Sequence, residues 1–529
     1  MIRKDILKCS AVKEFSHDER NHFFSVTGKK VIHNIDTLYY AVVLEEEGQR
    51  DSEHGIIPLI DDLQKLRDQK NDSDTEKKTF MGLEYKACSF AHYRHCLSLD
   101  KEFDIFIAEY LPNANTPRVV VQIRSVALWA DGDKACVKKS YDYLFRILYK
   151  YALHVKSVRE NRIDYAYHTN AIQNADSFLT DSLLLKCLKS NLTKYSKVGN
   201  IGKEITVEYL SLGMRKSNNV FFRAYNKSRE VVEMGYKSIF IGVWKDNGLI
   251  SAYDEYVLKK AYEFGSKTGF DSAVAIGKID WYMTYGKNES IKLYLQDLRE
   301  KYLVDGSNNG YLTAELKKIL PDITSVMNFE YQTKRKYYRC QQNSIDRLAV
   351  VEADLTGYPK LRHLFRILDN RALFLDKLTS ATVCFVKDRN KPAAEIDNSD
   401  YLDFWRRIRS CKTSCACDGD LYREYARGVD KARAAKGIAD KVAVLSVLDD
   451  FDGEADFTGD LADALSYFND NDVSTILAVD GNGEVQDCFD FEHYDILKGR
   501  KKRQYRFLAK EETTPTALPT DTDKPFPNG

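Results

Sequence analysis

Arg223, Tyr225 and Lys227 stand at alternate positions in the stretch VFFRAYNKSREV. In a strand, successive side chains point to opposite faces, so these three share a face with Phe221 while Val220, Phe222 and Ala224 take the other. A tyrosine titrates near pH 10 and becomes a nucleophile only when cations or a metal favour the phenolate. A phenol between a guanidinium and an ammonium suits a face that meets an anion. Taken alone, the pattern also describes a half-buried tyrosine with snorkelling neighbours.

A second stretch, RIDYAYH, puts Arg162, Asp164 and His168 on one face and Ile163, Tyr165 and Tyr167 on the other. An Asp and a His on one strand face could hold a divalent cation or orient a water. A simply polar strand face is the plainer alternative. In VVVQIRS, Gln122 and Arg124 also share a face. QTKRKYYR and DFWRRIRSCK mix cations with aromatics and offer Lys334, Arg335, Lys336, Arg406 and Arg407 as DNA contacts, or as solvated edges. Cys411, Cys415 and Cys417 in CKTSCACDGD come nearest to a metal pattern. A structural zinc wants four ligands, commonly in CxxC pairs, so a plain loop is the better reading there.

These residues need strands to hold them. NIDTLYYAVVLEE, FDIFIAEYL, PRVVVQIRSVALW and NRIDYAYHTN all carry strand-like β-branched or aromatic runs, and EITVEYLSLGM leads into the stretch around Tyr225. KKSYDYLFRILYKYALHV and ADSFLTDSLLLKCLKSNLTKY have helical spacing. The alternation predicts an α+β fold, a largely antiparallel sheet with helices packed on one face. The boundaries it suggests are an N-terminal extension over 1–29, a main domain over 30–305, and a second α/β sub-domain over 306–425. An acidic module with a basic end follows over 426–508, then a Pro- and Thr-rich disordered tail over 509–529.

The 529 residues carry 79 Lys+Arg against 79 Asp+Glu, so net charge does not announce a nucleic-acid protein. The acid is concentrated near the C-terminus, which leaves the remainder basic and makes the acidic module a candidate dock for host proteins such as a helicase or polymerase. No apolar run reaches the ~20 residues of a membrane span. The charged start MIRKDILKCSAVKEF is unlike a leader, and eleven unpaired-looking cysteines suit a reducing cytoplasm.

The segment EYLSLGMRKSNNVFFRAYNKSREV resembles the signature of the replication initiation factor family, which includes initiators of small rolling-circle plasmids and some phages and relaxases of conjugative elements. The matching positions are Tyr209, Gly213, Arg215, Ser217, Arg223, Tyr225, Asn226, Lys227 and Glu230. RIDYAYH resembles the family's acidic strand, with Asp164 on its first acid and His168 in place of its second. VVVQIRS resembles the preceding strand, with Gln122 in place of a Glu, and NIDTLYY resembles the opening strand. A further family strand carries Glu residues, and YKSIFIGVWKDN offers none; Glu330 could supply a carboxylate from the second sub-domain. The resemblance covers roughly residues 30–260, and no His-hydrophobic-His triplet of the other rolling-circle superfamily occurs.

The resemblance implies a nickase in which Tyr225 attacks origin DNA, aided by Arg223 and Lys227. It also implies a Mg or Mn ion near Asp164 and His168, and DNA contacts that include Arg215 and Ser217. The expected partners are double-stranded origin DNA and the nicked single strand, in a homodimer in the cytoplasm of a bacterial host. A relaxase, or a DNA-binding regulator that has lost its acids, are the alternatives.

Overall fold

The computed structural model describes residues 11–421 apart from 27, 46–54, 70–76, 91, 110–115, 173–174, 176–177, 179–185, 193, 201–205, 235–236, 305–315, 412 and 414–420. It also describes 475–479 and 485–490. The strands are β1 (Val31–Leu44), β2 (Thr79–Phe80), β3 (Leu83–Phe90), β4 (Tyr93–Leu99), β5 (Phe103–Ala108), β6 (Val119–Ile123), β7 (Val155–Thr169), β8 (Leu188–Ser190), β9 (Tyr195–Asn200), β10 (Thr206–Leu212), β11 (Val220–Asn226), β12 (Met327–Lys334) and β13 (Val383–Phe385). Eleven of them form one antiparallel sheet in the order β2-β3-β4-β5-β6-β1-β7-β12-β11-β10-β9, and β13 pairs with β8 apart from it. The fold is α+β, as the sequence predicts.

Alternation decides the two faces. Leu38, Tyr40, Val121, Ile163, Tyr165, Phe222, Ala224, Phe329 and Tyr331 all point to one side and are buried in a single apolar core. The helix α2 (Asp133–Lys150), which follows the short α1 (Ser125–Asp131), lies on that side. Its Val137, Tyr141, Leu144 and Leu148 recur at helical spacing and are buried, and Tyr40 reaches Ser140 at 2.9 Å. Residues 352–408 add further helices to the same core, tied to α2 where Lys134 bridges Asp354 and Asp369.

The opposite face is polar over much of its length and is capped at one end by a helical lobe. The lobe comprises α3 (Lys227–Met234), α4 (Ile239–Asp246), α5 (Ala252–Thr268), α6 (Phe270–Tyr285) and α7 (Glu289–Val304), around a core that includes Phe240, Trp244, Tyr253 and Trp281. A reciprocal cap between Ser251 and Asp254 starts α5. The segment over 239–246, expected as a strand, is helical because Phe240, Ile241 and Trp244 meet the lobe only at helical spacing.

The expected boundary at 305/306 does not hold. β12 lies between β7 and β11 in the main sheet, because Phe329 and Tyr331 can bury only by continuing its apolar face. Of the expected helix over 175–195, residues 175, 178, 186 and 187 are helical, Leu188–Ser190 and the chain from Tyr195 are strand, and most of the remainder lies outside the described residues. The chain divides into two compact units between Tyr422 and Arg423. In the second, β14 (Thr475–Val479) pairs antiparallel with β15 (Val485–Asp490). The rest of the acidic module, its basic end, the tail, Cys415 and Cys417 lie outside the described residues.

Candidate active site

Register sets the polar face rung by rung. One rung runs Tyr209, Tyr225, Asn328, His168; the next runs Ser211, Arg223, Glu330, Ala166. Further along come Phe221, Gln332 and Asp164, and then Lys334, Arg162, Tyr39 and Gln122. The residues expected to share a face do share it, in an order that only the sheet determines.

Tyr225 sits at the lobe end and is 7% exposed. Its hydroxyl accepts from Asn328 Nδ2 at 2.8 Å and from Lys227 Nζ at 3.2 Å, and it donates to Glu330 Oε2 at 3.4 Å. The Arg223 guanidinium lies 5.0 Å from the ring centre and bonds Glu330 at 2.8 Å. The phenol proton therefore points at a carboxylate, while two donors serve the oxygen that would carry phenolate charge. Burial, with the Glu230 charge next, holds the Tyr225 pKa well above its usual value.

Lys227 is the first residue of α3 and is completely buried. Burial would discharge it, yet Asp36 and Glu230 outweigh that and raise its pKa. Glu230 lies 2.6 Å away and Asp36 at 3.9 Å. Asp36 falls in a register shift between Ile35 and Thr37 of β1, a bulge that re-aims a side chain. Burial opposes its charge, but the Lys227 and Lys237 ammoniums hold its pKa near 2. The centre is thus a balanced cluster of Arg223, Lys227 and Lys237 against Asp36, Glu230 and Glu330, rather than the cationic pocket the sequence suggests.

The expected metal pair does not converge. Asp164 and His168 lie four residues apart on β7, roughly 13 Å along the strand. Both Asp164 oxygens are engaged by Arg162, and burial pushes the acid up to about 6. His168 stacks on Trp129 at 4.4 Å, and its Nδ1 accepts from Trp244 Nε1 at 3.1 Å. Burial drives its pKa well down, so the neutral ring keeps its proton on Nε2, leaving no lone pair for an ion. Among the described residues no three His, Cys, Asp or Glu side chains form a metal-ready group. The residues do not fit the expected ion, and the positive charge beside the phenol is the Lys227 ammonium.

The expected DNA contacts separate. Exposed Arg215 and Ser217 occupy the β10–β11 turn, whose Gly213 turns at φ +83° with Val220 O too near for a side chain. Lys334 Nζ is held by the carbonyls of Arg215 and Lys216 at 2.5 and 2.8 Å, so this turn, Lys334, Arg335 and Lys336 form one neighbourhood. Arg406 and Arg407 do not join it. Trp405 of their helix packs on Phe329 in the apolar core, across the sheet from Tyr225, and both arginines pair with Asp403.

Glu330 is visible in the sequence as a lone acid, whereas no local pattern points to Asp36, Asn328, Trp129 or Trp244. Asp36 is out of phase because of its bulge, and the others come from elements remote in the chain. No helix among the described residues is long and apolar enough to cross a membrane. No family model and no curated protein matches the chain. Among solved structures it is similar to a rolling circle replication initiator protein from Geobacillus stearothermophilus, with 12% identity over 72% of this chain and 96% of that one, at a TM-score of 0.31.

Proposed function

We propose that this chain is a tyrosine-dependent DNA nickase and strand transferase that initiates rolling-circle replication. The observation that carries the reading is the Tyr225 hydroxyl, held between the Lys227 ammonium and the Glu330 carboxylate on a polar sheet face. Glu330 takes the phenol proton as the oxygen attacks phosphorus. The Tyr O–P bond forms, the P–O3′ bond breaks, and the proton passes to the departing 3′ oxygen. The products are a 5′-phosphotyrosyl chain and a free 3′-OH. Lys227 and Asn328 stabilise phenolate character, and Arg223 faces the phosphate charge. Because Tyr225 is covered, the strand must open this end of the face before attack.

Dependence of cleavage on Mg or Mn, and its loss on chelation, tests whether the DNA itself brings an ion. A second reading, a DNA-binding regulator without cleavage, has the buried, high-pKa phenol in its favour. The same chemistry would serve a relaxase, and the genomic neighbourhood separates the two.

Covalent protein–DNA adduct on a single-stranded oligonucleotide, and nicking of supercoiled cognate DNA, are the deciding measurements. Tyr225→Phe should abolish adduct and nicking while binding persists; adduct in that variant, or none from the wild-type chain with any metal, overturns the assignment.

A further inference from the structure

The face that carries Tyr225 continues for three rungs, roughly 20 Å along the strands, to a cleft of about 580 Å³. Its floor is the rung Lys334, Arg162, Tyr39, Gln122, contributed by four adjacent strands. Tyr93, Phe106 and Val120 form an apolar side, joined to Ala41 and Tyr39 in a small cluster separate from the main core. Arg162 lies over the Tyr39 ring at 5.3 Å and is fixed there by Asp164. Arg335 and Lys336 complete the rim, and Arg335 is braced by Glu160 at 3.6 Å. The lining holds four cations and no carboxylate.

Aromatic surface beside cations is how proteins hold unpaired bases: a ring stacks on the base face and the charges follow the backbone. The volume suits a nucleotide-sized occupant, within the roughly 300–1,000 Å³ usual for ligand clefts. The half-buried Gln122 amide offers a donor and an acceptor, the pair needed to read a base edge. We infer that this cleft takes one base of the single strand beside the cut, stacked on Tyr39 and Phe106, with Gln122 on its edge and the adjoining phosphate on Lys334 and Lys336. The inference rests on the nicking reading for its strand, and on the cleft alone for its chemistry.

The test measures binding of a short oligothymidylate to the full chain carrying Tyr225→Phe, by fluorescence anisotropy, with one abasic residue moved along the strand. One position should weaken binding roughly tenfold, the size expected of one stacked base. Phe106→Ala, and separately Gln122→Glu, should cost about the same and make that position insensitive, because the two losses share one contact. Gln122→Glu opens no cavity, so its unfolding temperature should stay put and its binding loss be read directly. A flat abasic scan, variants that bind like the parent, or thymidine monophosphate competing as strongly as the strand would overturn the inference, the last by making the cleft a free-nucleotide site. Adduct formation on Tyr225 is scored separately in the wild-type background. Adduct with a flat scan removes the cleft and leaves nicking; a position-specific scan without adduct removes nicking and leaves the cleft.

Discussion

Glu330 accepts the Tyr225 hydroxyl from the neighbouring strand, at 3.4 Å, although 105 residues separate the two in sequence. The same carboxylate takes Arg223 at 2.8 Å, so one acid orders both the phenol and the guanidinium beside it.

If Glu330 is the general base, Glu330→Gln keeps the size and part of the bonding yet loses proton acceptance. Adduct formation should slow about 10²–10⁴-fold while oligonucleotide affinity changes little. Single-turnover kinetics on a labelled strand reads this; an undiminished rate assigns the proton elsewhere.

Lys227 compensates buried acids, so its removal is costly. Lys227→Met should destabilise the first unit by about 3–5 kcal/mol in urea unfolding, since Asp36 and Glu230 lose their counter-charge. Adding Asp36→Asn to that variant should recover part of the loss. A double variant as weak as the single one would show that Asp36 is not the charge Lys227 answers.

Acid should weaken the fold through His168. Its folded pKa is pushed far below the unfolded value of 6.5, so the unfolded chain binds the extra proton as pH falls. Stability is therefore full above pH 6.5 and declines below it, by roughly 1.4 kcal/mol per pH unit for this group. His33, held near 3, shares this loss, Asp164, pushed up to about 6, offsets part of it over the same range, and Asp36, held near 2, adds a loss that begins only below about pH 4. Denaturant midpoints at pH 7 and pH 5 check the sign; a midpoint that rises at pH 5 contradicts it.

The Trp244 contact fixes the tautomer of His168. Nitrogen-15 NMR at neutral pH should find Nε2 protonated and Nδ1 bare, and added Mn should leave that ring's signals unbroadened. A protonated Nδ1 would return His168 to the pool of metal ligands.

Much of the face was legible in the chain. Strict alternation in VFFRAYNK and RIDYAYH gave the correct side for Arg223, Tyr225, Asp164 and His168, because both strands pair with β12 without a break and the bulge opposite Asp164 adds its extra residue to β1. Neighbourhood was not legible. Asp164 and Tyr225 share a face but sit on different rungs, and the order of rungs is a property of register between distant segments. Glu330 looked remote because nothing local says that β12 enters between β7 and β11. Asp36 escaped because a bulge breaks the period-two count, and His168 looked like a ligand because its indole partners come from α1 and α4.

The position of β12 also bears on how the molecule is made. The chain runs through β7, β11 and the entire lobe before residue 327 emerges, so a nascent protein holds two unsatisfied strand edges with a one-strand vacancy between them. Such edges invite pairing with other chains, and closing so distant a contact is slow. A fragment ending before Met327 should aggregate, and the Tyr225–Glu330 neighbourhood should be the last part of the sheet to come into being during synthesis.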